Sequence, residues 1–304
     1  MEEIALFGFL MAGYAVIAND SVQTLGTWIN SNSKVKWYWL WLFASLVLVV
    51  TLGSGYLMDQ DISFGRLDKI PQVEVMWYHL LAPIALLGLT RKGIPVSTSF
   101  LVLSTFASTI VLEKMLLKSV VGYLLAAVMA YIIWLIVAKV INESTKPKRN
   151  DKIWRVAQWG STGFLWYTWL AHDVANIMVF LPRDLHAWHV IGITAFFVAV
   201  LGLVFYRKGG KIQEIVINKK NTRYVRSATI IDLVYALLLL YFKQYNNIPM
   251  STTFVFVGLL AGRELALNGS LYKKSFPIIT KDLGKLLLGM AVSLAIVFLI
   301  HQLS

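Results

Sequence analysis

Ala18-Asn19-Asp20-Ser21-Val22-Gln23 returns in altered form as Ala171-His172-Asp173-Val174-Ala175-Asn176, 153 residues further along the chain. An unrelated stretch, Ile94-Pro95-Val96-Ser97-Thr98-Ser99-Phe100, returns as Ile248-Pro249-Met250-Ser251-Thr252-Thr253-Phe254, 154 residues on. Two motifs in one order, at nearly one offset close to half of the 304 residues, are what a gene duplication leaves. Any fold for this chain has to explain that repeat.

The surroundings of the motifs set the solvent. The chain is 58% hydrophobic and 14% charged, with a mean hydropathy of +0.66. A soluble domain carries about 25% charged residues. So apolar a chain cannot cover a globule with polar surface, which excludes an ordinary soluble enzyme and a disordered protein. Ten apolar segments read as helices of an all-α polytopic membrane protein: 4–30, 37–57, 72–90, 94–112, 117–140, 153–181, 187–206, 227–245, 249–262 and 282–303. The segment 249–262 is short for a crossing, and 94–112 is the other span least secured by its sequence.

The net charge of +12 resides mainly in gaps between these segments. Lys34 and Lys36, Arg91 and Lys92, Lys146 to Lys152, the run from Arg207 to Arg226 and the gap 263–281 all fall on one side if every segment crosses. The positive-inside tendency makes that side cytoplasmic and both termini extracytoplasmic, and it accounts for the charge without a nucleic-acid partner. The 58–70 loop, with Asp59, Asp61 and Asp68, then lies outside. Met1-Glu2-Glu3 lacks the basic flank of a signal peptide, so the first apolar run is expected to be retained. There is no cysteine, hence no disulfide or thiolate metal site.

Five crossings per half is an odd number, so the second half enters from the opposite side. The expectation is two inverted-topology repeats, 1–142 and 153–304, joined by a basic cytoplasmic linker at 143–152, with broken or short helices at the motifs and a binding site between the halves. Asp20 and Asp173 sit inside apolar runs, where an aspartate costs about 2.5–3.5 kcal/mol on insertion scales and is rarely kept without a role. With amide oxygens from Asn19, Gln23 and Asn176 they offer hard donors to a cation. Pro followed by Ser and Thr suits the first turn of a helix, whose free N–H groups and hydroxyls suit an anion. Ser97, Thr98 and Ser99 facing Ser251, Thr252 and Thr253 would surround a tetrahedral oxyanion. No arginine lies in either motif, so hydroxyl and backbone groups, helped by a cation on the aspartates, are expected to hold the anion. His79 and Asp232 read as structural, His186 and His189 as interfacial, and Arg263-Glu264 as a solvated pair at a helix end. No P-loop pattern, nucleophile beside a base or convincing metal cluster points to an enzyme.

At these residues the chain resembles the inorganic phosphate transporter (PiT) family, whose halves each carry Gly-Ala-Asn-Asp-Val-Ala-Asn and Pro-Val-Ser-Thr-Thr-His motifs. Ala18, Asn19, Asp20, Gly26 and Thr27 match in the first half, and Ala171, Asp173, Val174, Ala175 and Asn176 in the second. Pro95, Val96, Ser97 and Thr98, and Pro249, Ser251, Thr252 and Thr253, match the other signature, while Gln158 and Ser161 match a Gln-x-x-Ser that precedes the second aspartate motif. Gln23 and His172 stand where the family has asparagine, and Phe100 and Phe254 where histidine is common. The resemblance implies a plasma-membrane (inner-membrane) secondary transporter that imports inorganic phosphate, or in some relatives sulfate, driven by sodium or protons. It adds Gln158 to the anion set. It implies no cofactor and no metal beyond the coupling cation, with lipid as surroundings and a homo-oligomer allowed. An anion channel is the remaining alternative; paired carboxylates and broken helices fit alternating access better.

Overall fold

The computed structural model describes residues 2–94, 96–137, 151–209, 225–268 and 272–303. Pro95, residues 143–150 of the expected linker at 143–152 and most of the basic gap 207–226 lie outside the described residues. The chain is an all-α multi-pass membrane protein. In order, its helices are α1 (Glu2–Ser31), α2 (Trp37–Asp59), α3 (Leu81–Arg91, after a 3-10 turn Trp77–Leu80), α4 (Thr98–Leu101), α5 (Thr109–Val137), α6 (Asp151–Asp173), α7 (Ala175–Met178), α8 (Ala187–Tyr206), α9 (Val225–Tyr245), α10 (Thr252–Asn268) and α11 (Tyr272–Leu303).

Six helices among the described residues are long and apolar enough to cross a membrane: α1, α2, α5, α8, α9 and α11. The other expected crossings take different forms. The stretch 94–112 is no span: α4 has 4 residues, a 3-10 turn follows at Leu103–Phe106, and α5 begins at Thr109. Helix α3 has 11 residues and α10 has 17, about 17 and 26 Å at 1.5 Å per residue, against about 30 Å of hydrocarbon. The first aspartate motif was expected to break its helix, but α1 runs through it, with the Ser21 hydroxyl turned back onto the Ile17 carbonyl. The second motif does interrupt its helix, at Val174 between α6 and α7.

Helix contacts recur in pairs that match the order of the repeated motifs. Helix α1 packs on α3 as α6 packs on α9, and α1 meets α8 as α6 meets α2. Helix α10 lies along α5 as α4 lies against α11, and α2 and α8 touch each other. The closest of these contacts is α5 with α10. A Cβ built on Gly262 would stand 2.7 Å from the Ala127 carbonyl carbon, and one on Gly258 3.0 Å from that of Tyr123. Two glycines four residues apart thus let backbones touch, the small-residue device by which helices associate when lipid is as apolar as leucine.

Around the centre, aromatic side chains lock α2 to its neighbours. Trp166 Nε1 donates to the Ala44 carbonyl (3.0 Å) and its ring stacks on Trp169 (4.7 Å). Trp41 Nε1 donates to the Val198 carbonyl (2.9 Å). Trp28 meets Trp159 and Phe43 at 5.1 and 5.3 Å. Trp166 and Trp169 are therefore core packing, not membrane-interface anchors. Leu46, Val50, Leu124, Val128, Ile136 and Phe298 are exposed, the surface a hydrocarbon solvent favours.

Candidate functional site

The two Ser/Thr motifs start helices in the same way. Ser97 Oγ accepts the Phe100 N–H and Ser251 Oγ accepts the Phe254 N–H, each at 3.3 Å, so each serine caps the helix that follows it. The motifs then bond to each other reciprocally. Ser99 Oγ donates to the Met250 carbonyl (3.0 Å), and Thr253 Oγ1 donates to the Val96 carbonyl (3.2 Å). Ser99 and Thr253 are equivalent positions of the duplicated motif, as are Val96 and Met250. Phe100 and Phe254, again equivalent, meet ring to ring at 5.8 Å. Like touches like, as across a two-fold axis.

The aspartates close around this contact. Asp20 accepts from Asn19 Nδ2 at Oδ1 (2.5 Å) and from Thr98 Oγ1 at Oδ2 (2.7 Å). Asn19 Nδ2 also reaches the Val96 carbonyl (3.0 Å). Asp173 Oδ1 accepts from Asn176 Nδ2 (2.8 Å) and shares the single Ser99 hydroxyl proton (3.2 Å) with the Met250 carbonyl. Asn176 Nδ2 further donates to Thr98 Oγ1 (2.8 Å) and leans on Ser99 Oγ (3.3 Å). A continuous chain, Asp20–Thr98–Asn176–Asp173, therefore links the two carboxyl groups through both halves. Thr252, the counterpart of Thr98, faces the Asp173 carboxyl, yet Oδ2 makes no hydrogen bond of ordinary geometry, and Asn176 Oδ1 has none either. Asn19, Asp20, Asp173 and Asn176 are all buried.

Of the expected site residues, the structure gathers Asn19, Asp20, Asp173, Asn176, Ser97, Thr98, Ser99, Ser251, Thr252 and Thr253. Gln23 is buried on α1 one turn beyond Asn19, its Nε2 without a partner. Gln158 is not brought to the cluster. Its Nε2 donates to Ser31 Oγ (2.5 Å) and its Oε1 accepts from Asn32 Nδ2 (3.1 Å), tying α6 to the end of α1. It stands fifteen residues before Asp173 on one unbroken helix, about 22 Å away. That rise excludes it from an anion set with Ser97 to Ser99.

Sequence reading missed two cations and misjudged Arg263 and Glu264. Arg66, fully buried, reaches in from the segment between α2 and α3: Nη1 donates to the carbonyls of Asn246 (3.1 Å) and Ile248 (3.3 Å), and Nη2 meets His172 Nδ1 (3.0 Å). Burial lowers its pKa to about 10 while Asp173 acts against that shift, so it stays cationic at neutral pH. Lys118 Nζ, on α5, donates to the Phe242, Asn246 and Ile248 carbonyls (3.0, 3.2 and 2.8 Å) and to Asn246 Oδ1 (2.7 Å). A lysine inside an apolar run was the available signal for one. For the other it was an arginine beside Gly65, whose φ of +72° turns the loop sharply. Asp232 lies within α9, where Thr27 (2.6 Å) and Thr162 each donate to one of its oxygens. Arg263 and Glu264 are buried, not solvated; Arg263 donates to Ser227 Oγ (3.1 Å) and lies over the Trp134 ring at 5.4 Å.

Chemically, the cluster presents two carboxylates, an amide oxygen and carbonyls to a hard cation, beside hydroxyls and two capped helix starts suited to an oxyanion. No protein-family model matches the chain, and no curated protein matches it in sequence. In three dimensions it is similar to a solved sodium-dependent phosphate transporter, with a TM-score of 0.59 over 99% of this chain and 98% of that one. The two share 17% of their residues, so the likeness is one of fold.

Proposed function

We propose that the protein is a secondary active transporter that imports inorganic phosphate across the plasma membrane together with sodium or protons, by alternating access. The observation that carries the reading is the reciprocal bonding of the two Ser/Thr motifs around a pair of linked aspartates. The duplicated halves, 1–142 and 153–304, are inverted repeats, and the site lies at their common axis, where a rocking of one half against the other exposes it to either side. The termini and the segment 60–76 face outward. The similarity to a sodium-dependent phosphate transporter supports the substrate class.

The residues divide the work by charge. Asp20 and Asp173, with Asn19 and Asn176 and with Gln23 as an outer donor, take the coupling cation. Burying two carboxylates without one is costly, so cation arrival stabilises the site. Ser97, Thr98, Ser99, Ser251, Thr252 and Thr253 then receive the anion. Thr98 and Ser99 now donate to the carboxylates; once a cation neutralises these, the hydroxyls are free to turn toward an oxyanion. Binding of one ion thereby favours the other, which is coupling in thermodynamic form. Phosphate is favoured over sulfate here, because an anion placed among carboxylates gains from carrying a proton to donate. Neither step breaks a covalent bond, so the reading is transport and not catalysis.

The test is phosphate uptake by Asp20→Asn and Asp173→Asn in proteoliposomes, with membrane insertion measured in parallel. Each variant should insert normally and lose uptake. Full activity in both would remove the cation assignment.

A further inference from the structure

Arg66 touches both second-half motifs. Its Nη2 meets His172, next to Asp173, and its Nη1 holds the carbonyl of Ile248, next to Pro249. His172 Nε2 donates to the Leu239 carbonyl (2.6 Å), which leaves Nδ1 as the acceptor for Arg66. Each hydrogen bond that Arg66 makes goes to a neutral acceptor, and its Nε has none. Lys118 likewise spends its hydrogen bonds on neutral oxygens of the turn at 246–248 and of Phe242.

A buried guanidinium without a bonded counter-ion is costly, and its planar fork matches an oxyanion better than it matches an imidazole. The transport site has the complementary problem. Two carboxylates and a phosphate dianion in a low-dielectric interior carry more negative charge than one or two monovalent cations cancel. The loop arginine and the α5 lysine supply the difference where the motifs begin.

Resting on the oxyanion-transport reading, we propose that Arg66 is an anion-binding and selectivity residue of that site, its fork exchanging His172 for oxygens of the transported oxyanion. Lys118 is a positioning residue: it holds the 246–248 turn, whose carbonyls anchor Arg66 Nη1, so that the fork and Thr252 face the anion together.

The experiment is equilibrium binding of radiolabelled phosphate to the purified full chain, with unlabelled sulfate as competitor and a melting temperature for every variant. Arg66→Gln should weaken phosphate binding roughly tenfold or more, the scale of a lost charge-assisted hydrogen bond. Arg66→Lys, which keeps the charge and loses the fork, should recover part of the affinity and change the phosphate-to-sulfate ratio. His172→Ala removes the competitor for Nη2 and should tighten binding several-fold, a direction that damage to packing cannot produce. If Arg66→Gln fails to fold, Arg66→Lys and His172→Ala decide. Unchanged affinity and selectivity in the Arg66 variants, or His172→Ala that weakens binding in step with its melting temperature, would overturn the role of Arg66 and leave the transport reading intact. Wild-type protein that binds neither anion would overturn both.

Discussion

Replacing Gly262 by alanine adds one methyl group to the face of α10 that touches α5. The built Cβ stands 2.7 Å from the carbonyl carbon and 2.9 Å from the Cα of Ala127. Ordinary carbon–carbon contact needs about 3.5–4.0 Å, so the helices must part by roughly 1 Å. The obstacle is backbone, which cannot rotate aside as a side chain does. Overpacking typically costs 1–3 kcal/mol, and an unyielding neighbour puts this case near the upper end, about 3 kcal/mol. At roughly 2 °C per kcal/mol for a chain of this size, the melting temperature should fall by about 6 °C. Gly53 on α2 and Gly192 on α8 are the controls: a Cβ on either meets nothing within 4 Å. Their alanine variants should match the wild type or gain slightly, because alanine favours helix over glycine by about 1 kcal/mol. The assay is thermal unfolding of purified protein in one detergent, followed by tryptophan fluorescence. Gly262→Ala as stable as the wild type, or Gly53→Ala equally damaged, would refute the claim that these backbones touch. Because α10 begins with Thr252 and Thr253, the same variant should also lower uptake.

Three further outcomes follow from the site. Ser99→Ala removes the one hydroxyl that reaches both the Asp173 carboxyl and the Met250 carbonyl, whereas Thr253→Ala removes one that reaches only the Val96 carbonyl; uptake should fall about tenfold or more in the first and less in the second. Equal losses would contradict the unequal roles. Gln158→Ala should keep near-normal phosphate affinity and lose about 1–2 kcal/mol of stability, since Gln158 ties α6 to Ser31 and Asn32 away from the motifs; a large loss of affinity in a stable variant would return it to the anion set. Trp41→Phe removes a second donor from the Val198 carbonyl, which keeps its place in the α8 ladder, and should cost about 0.5–1.5 kcal/mol, read as a slightly lower melting temperature with unchanged phosphate affinity.

The motifs were legible because the same residue types occur twice, in one order and at nearly one offset. Burial then made them meaningful: an aspartate within an apolar run signals itself, and so does a proline-led Ser/Thr cluster. What the motifs do to each other was not legible. The bonds from Ser99 to Met250 and from Thr253 to Val96 span 151 and 157 positions, and no periodicity reports them. Helix lengths failed for a related reason. Hydropathy sees apolar runs at 94–112 and 249–262, but short segments buried inside the protein are as apolar as helices that cross lipid. The arginine went unseen because its loop advertises its acids. Asp61 caps that loop, accepting from Ser63 and Gly65 N–H at 2.6 Å each, and so turns Arg66 inward, which only coordinates show. Gln158 was misplaced because its assignment rested on resemblance and not on its distance along α6.

The central claim is that this fold moves phosphate with a cation. Radiolabelled phosphate uptake into proteoliposomes under an imposed sodium or proton gradient, with excess sulfate as competitor, tests it most directly. The account predicts saturable uptake that requires one of the gradients and persists in sulfate. Absence of phosphate uptake under either gradient, or uptake indifferent to both, would contradict it.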